Sequence, residues 1–138
     1  MDQFIKNQNA QAYVTGMRPV FNRRALFSDT TANFIHPAEP RPYDQLTIRF
    51  RCAKNNLDRV FLVCKGQREL MAKVEHDEQF DYYEYSLQLE NETIHYHFEI
   101  EIGKIRGCFD ARGLVKEANE YYDFVVIPGF KTPDWAKG

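Results

Sequence analysis

Strict alternation over three stretches constrains this chain more than any other feature. Residues 45–52 place Leu46, Ile48, Phe50 and Cys52 on one side and Gln45, Thr47, Arg49 and Arg51 on the other. Residues 93–102 set Ile94, Tyr96, Phe98, Ile100 and Ile102 against His95, His97, Glu99 and Glu101. Between them, residues 82–89 set Tyr83, Tyr85, Leu87 and Leu89 against Tyr82, Glu84, Ser86 and Gln88. A period of two is that of a strand with one face in a core and the other in water. Three such strands commit the chain to sheets that bury one side only, and hence to antiparallel pairing.

The remainder fits shorter strands punctuated by turns. Residues 25–28 and 33–35 are brief apolar pieces divided by Asp29-Thr30-Thr31, and residues 36–43 carry three prolines, which excludes a central strand there. Residues 58–65 read as a strand with Val60, Leu62 and Cys64 inward, and Gly66-Gln67 turns it into a second strand over residues 69–74. Gly103 turns residues 93–102 back through residues 105–109, a short helical piece is expected over 114–119, and residues 121–127 close the sheet. About eight short strands with turns every ten residues or so describe an all-β antiparallel sandwich.

At 138 residues the chain is one domain, long enough to bury roughly two-thirds of its unfolded surface without disulfides or metals. Its net charge of −2 argues against nucleic acid as a partner, because binding phosphates needs a positive excess. Three cysteines, Cys52, Cys64 and Cys108, are an odd number without paired spacing and suit a reducing compartment. Residues 1–10 carry no basic stretch followed by an apolar one, and no apolar run is long enough for a transmembrane helix. The expectation is a cytoplasmic protein with no membrane partner.

Few constellations carry chemistry. Glu99 and Glu101 project from one strand face about 7 Å apart, near the carboxyl separation of inverting glycosidases. Nothing beside them splits their acidities, so they read as a solvated face. His95, His97 and Glu99 share that face, yet three ligands along one strand splay apart and enclose no metal, and no cofactor is expected. Cys64 sits in inward register, where a thiol is inert. Arg49, Arg51, Arg59 and Lys65 form a basic stripe if their strands adjoin, and cross-strand charge pairs are the simpler account. The seven glycines are scattered and make no phosphate cradle.

Aromatic content of 14% leaves Tyr43, Phe61, Phe80, Tyr82, Phe109 and Tyr121 in outward register or in loops. A ring in water can stack on the C–H face of a sugar while polar neighbours bond its hydroxyls; it can equally pack against a loop or another domain. Tyr82, followed by the outward Glu84, is the best candidate, with Tyr43 and Tyr121 next.

The run Asp58-Arg59-Val60-Phe61-Leu62, then Phe80-Asp81-Tyr82-Tyr83-Glu84-Tyr85 and Ile94-His95-Tyr96-His97-Phe98, resembles the N-terminal domain of neopullulanases, cyclomaltodextrinases and maltogenic amylases. The Ile127-Pro128-Gly129-Phe130 close and the Thr132-Pro133-Asp134-Trp135-Ala136-Lys137 tail are similar to the junction that precedes those enzymes' catalytic barrel. The likeness runs from about Phe21 to Gly138, with Tyr83 standing where the family often has Trp. It implies an immunoglobulin-like sandwich of carbohydrate-binding module family 34, attached to a glycoside hydrolase family 13 barrel that cleaves starch, pullulan or cyclodextrins. No catalytic residue of that barrel maps onto these positions.

The resulting expectation is a flexible segment over residues 1–20, a sandwich over 21–127 and a linker over 128–138. The sandwich is expected to bind α-glucans without chemistry of its own, through Tyr82, Glu84, Tyr43 and Tyr121. Trp135 and Phe130 are expected to meet the parent's own barrel. The rival is a structural module that supports a homodimer and binds no sugar alone.

Overall fold

The computed structural model describes residues 20–130. The ten strands are β1 (Ile35–His36), β2 (Gln45–Ala53), β3 (Arg59–Cys64), β4 (Gln67–Leu70), β5 (Ala72–His76), β6 (Phe80–Gln88), β7 (Ile94–Ile102), β8 (Ile105–Asp110), β9 (Gly113–Val115) and β10 (Phe124–Val126). They form two antiparallel sheets. One has the order β1-β2-β6-β5; the other runs β4-β3-β7-β8-β9, with β10 pairing the first residues of β7. Among the described residues the only helical pieces are two 3-10 turns, Arg23–Ala25 and Glu120–Tyr122.

The three alternating runs become the longest strands, β2, β6 and β7, in the faces their patterns dictate. Leu46, Ile48, Phe50 and Cys52 are fully buried, as are Tyr96, Phe98 and Ile100 from the opposing sheet. Rings lock the two layers together: Phe50 lies 4.8 Å from Phe98 and 5.3 Å edge-on from Phe109, while within the second sheet Phe124 reaches its neighbour Tyr96 at 5.4 Å. Such geometries add to the area the rings bury.

Two turns are set by local chemistry. Cys64 pairs with Gln67, so Lys65 and Gly66, both at positive φ (55° and 75°), make the two-residue reversal whose twist suits a hairpin. Gly103, at φ 57°, does the same service between β7 and β8.

The structure corrects three readings of the sequence. The run expected as one strand over 69–74 is two strands in different sheets. β4 pairs with β3, the chain crosses at Met71, and β5 pairs with β6. Met71 is buried, and its amide donates to the Val60 carbonyl at 2.8 Å, so the crossing point is anchored in the core. The helix expected over 114–119 is absent. Asp110 pairs with Gly113 and Phe109 with Leu114, so this stretch begins as the return arm of a hairpin, with Leu114 leaning on the core. Finally, Phe109 is an inward core residue, not an outward ring. The expectations for residues 1–19 and for the tail with Trp135 lie outside the described residues.

Candidate functional site

The outer face of the four-stranded sheet is a grid fixed by strand register. Across β2 and β6, Arg51 stands opposite Tyr82, Arg49 opposite Glu84, and Thr47 opposite Ser86; His36 of β1 extends the last row. Each row differs in chemistry. In the first, the Arg51 guanidinium lies 4.4 Å over the Phe80 ring and 5.6 Å over Phe27, while its Nε donates to the Ala25 carbonyl. In the second, Arg49 donates from both Nε and Nη2 to one Glu84 oxygen, at 2.9 and 2.6 Å, and reaches Glu75 at 3.2 Å. Arg49 also lies 5.1 Å over the Tyr82 ring. In the third, the Thr47 and Ser86 hydroxyls are hydrogen-bonded at 2.8 Å.

A shallow groove of about 480 Å³ opens beside the second and third rows, lined by residues 32–36 together with Thr47, Arg49 and Glu84. Two arginines face two glutamates here, so the face is balanced in charge. A tyrosine ring, a fixed planar ion pair, hydroxyls and an imidazole in sequence are groups that recognise a neutral polyol.

The sequence candidates fall in different places. Glu84 lines this groove, and Tyr82 stands one row outside it, beneath the Arg49 guanidinium. Tyr43 is exposed and lies beyond its far end, with its carbonyl accepting from the Gln88 side chain, about 20 Å along β6 from Tyr82. Its φ of 69° is uncommon for a residue of this size. Tyr121 is on the opposite sheet's side, beside a second groove lined by His95, His97 and Asp123. Phe130 is exposed next to Val125, Ile127 and Pro40, and the Gly129 amide donates to the Pro40 carbonyl at 2.8 Å. Sequence reasoning did not single out His36, Thr47, Ser86 or Phe27 for this face; the pairing of β2 with β6 brings them there.

The other constellations resolve into structural pairs. Arg49 and Arg51 lie on one sheet while Arg59 leads β3 of the other and Lys65 follows it, so the basic stripe does not form. Glu101 is nearly buried under Arg59 at 2.8 Å, Arg68 at 3.5 Å and Arg106 at 3.6 Å, and Glu99 takes Arg68 at 3.0 Å. The Arg59 hydrogen bond holds the Glu101 carboxyl below the usual carboxylate range. Arg68 covers Phe61 at 3.9 Å. His97 Nδ1 meets Asp123 at 3.1 Å, and among the described residues no three His, Cys, Asp or Glu side chains converge as a metal site. Burial raises all three thiols, Cys52 to about 12. No helix among the described residues is long and apolar enough to cross a membrane.

A family model described as the alpha amylase N-terminal ig-like domain matches residues 22–128. A solved cyclomaltodextrinase structure superposes with a TM-score of 0.68 at 20% identity, covering 86% of this chain and 22% of that one. The type III pullulan hydrolase from Thermococcus kodakarensis superposes with a TM-score of 0.45 at 16% identity, covering 79% of this chain and 18% of that one. This chain thus spans about a fifth of the length of those solved proteins. No curated protein matches it by sequence.

Proposed function

Because the chain belongs to the family of immunoglobulin-like N-terminal domains of alpha amylases, we propose that it is a non-catalytic α-glucan-binding domain of a larger glycoside hydrolase. The observation that carries this reading is the Tyr82 ring held beside the Arg49–Glu84 pair and the groove next to it. Starch, maltooligosaccharides, pullulan and cyclodextrins all present neutral polyol surfaces of the kind this face suits. Three thiols on separate strands, none in a disulfide, fit a cytoplasmic parent.

An open site on a sheet face, with one ring and no enclosure, supports micromolar to millimolar affinity, about −8 to −4 kcal/mol. Maltoheptaose titrated calorimetrically into the 138-residue chain tests this. Tyr82→Ala is expected to weaken binding about tenfold, ~1.4 kcal/mol, through loss of ring contact. Undiminished binding by Tyr82→Ala would remove this face from the account.

A second reading rests on a separate observation. Val125, Ile127 and Phe130 are exposed together at the end of the described chain. That strip suits packing against a catalytic barrel following residues 128–138, or against a partner copy in a homodimer. It makes the domain a structural module of its parent as well. If maltoheptaose at millimolar concentration gives no heat and starch does not retard the chain in a native gel, this second role stands by itself.

A further inference from the structure

The groove beside Tyr121, on the sheet away from Tyr82, has the construction of a binding site in its own right. It holds about 830 Å³, between the β3–β4 turn, the first residues of β7 and the segment that leads into β10. Tyr121 is 83% exposed, more than any other large hydrophobic among the described residues, and none of their guanidiniums lies over its ring as Arg49 lies over Tyr82.

That exposed ring is also braced from behind. Tyr121 stands edge-on to Tyr122 at 5.1 Å, and the Arg112 guanidinium lies 4.3 Å over the Tyr122 ring. Arg112 is in turn bonded at 2.7 Å to the fully buried Asp110. The backbone is fixed as well: the Tyr121 amide donates to the Asn119 side chain at 2.9 Å, and Ala111 donates to the Tyr122 carbonyl at 2.9 Å. A ring set in position before binding loses little entropy when a ligand stacks on it.

Polar partners for such a ligand are held in the same groove. His97 is anchored at Nδ1 by Asp123, which leaves Nε2 for a further hydrogen bond. His95 and Glu120 add an imidazole and a carboxylate from the groove lining. An exposed ring beside the oriented His97 imidazole, with His95 and Glu120 in the same lining, matches a pyranose, its C–H face on the ring and its hydroxyls on the side chains. The acidic lining disfavours an anion.

We infer that the Tyr121 groove is a second carbohydrate site, so that one domain holds two α-glucan chains at once on opposite faces and bridges them. This rests on the ligand class proposed for the Tyr82 face. The sites look away from each other across a core about 10 Å thick, so one short oligosaccharide cannot reach both.

The test is a titration of the isotope-labelled 138-residue chain with maltoheptaose, read by amide chemical shifts, together with light scattering of the chain mixed with long soluble amylose. Two sets of amides, residues 47–49 with 84–86 and residues 93–97 with 119–123, are expected to shift along independent isotherms. Tyr121→Ala should weaken the second isotherm about tenfold while leaving the first and the rest of the spectrum in place. Wild type should raise the scattering of amylose, and Tyr82→Ala and Tyr121→Ala should each abolish that rise while still binding maltoheptaose. Shifts confined to the first set would overturn the second site and leave the proposed function standing. Shifts confined to the second set would overturn the bridging. Shifts in neither set would remove both.

Discussion

Replacing Tyr96 by Phe should make the protein more stable, an unusual direction for a core substitution. Tyr96 is fully buried, and among the described residues its hydroxyl has no hydrogen-bond partner. Burial, with smaller contributions from Asp29 and Cys64, pushes its phenol well above the usual tyrosine range, in keeping with a dry site. An unpaired buried polar group costs about 1–3 kcal/mol of desolvation, all of which the substitution recovers. Against it stands the void left by one oxygen, roughly 0.3–0.5 kcal/mol at ~24 cal/mol per Å³. The balance is a gain of about 1 kcal/mol, or about 3–5 °C in Tm for a chain of this size. The ring contacts with Phe98 and Phe124, at 5.8 and 5.4 Å, are kept. Tyr83→Phe is the control, because the Tyr83 hydroxyl donates to the Leu57 carbonyl at 3.4 Å. It should lose about 0.5–1.5 kcal/mol. Urea unfolding of both variants at equal slope reads the two signs directly. A Tyr96→Phe variant less stable than wild type would mean that this hydroxyl is paired in solution, and the reasoning from its isolation would fail.

Two further outcomes follow from named groups. Glu101 is held below its ordinary value of 4.5 first by the Arg59 hydrogen bond and then by the surrounding guanidiniums, so its stabilisation is present above that pH and fades as pH falls through the lowered value. Glu101→Gln should therefore be clearly less stable than wild type at neutral pH and converge on it in acid; urea midpoints on either side of pH 4.5 check this. Iodoacetamide at mildly alkaline pH should spare Cys52, whose thiol is fully buried and raised to about 12, and label Cys64 and Cys108 first, as peptide mass mapping would read.

The strand faces were legible because each long strand buries one side only. The alternation at Leu46, Ile48, Phe50 and Cys52 required no knowledge of partners, and neither did the one at Ile94, Tyr96 and Phe98. What alternation cannot carry is which strand lies beside which. Arg49 and Arg59 have the same outward register, but they belong to different sheets, so the stripe drawn through them dissolved. The crossing at Met71 escaped for a similar reason: a lone buried side chain between polar strands looks like one more alternating residue. Phe109 misled because β8 is too short and too glycine-broken to display a period. In the candidate site, Tyr82 and Glu84 were visible as outward neighbours two apart on one strand. Thr47, Ser86 and His36 join them only through pairing across β1, β2 and β6, which local sequence does not encode. The bracing of Tyr121 by Tyr122, Arg112 and Asp110 is hidden in the same way, since it depends on how the β8–β9 hairpin folds against the segment before β10.

The crossing at Met71 also bears on how this protein stays apart from its neighbours. β4 and β5 are the outermost strands of their sheets on that side, and an outermost strand is where another chain can add itself. Here both edges are one continuous piece of backbone, pinned in the middle by a buried side chain. Exchanging either strand for that of another chain drags Met71 toward water, at a cost of about 1.5–3 kcal/mol for its side chain. β5 adds a bulge between Lys73 and Glu75 that spoils the regular spacing an incoming strand would need. Met71→Ala should therefore lower the melting temperature and, in storage, also give a chain that slowly self-associates through edges no longer tied to the core.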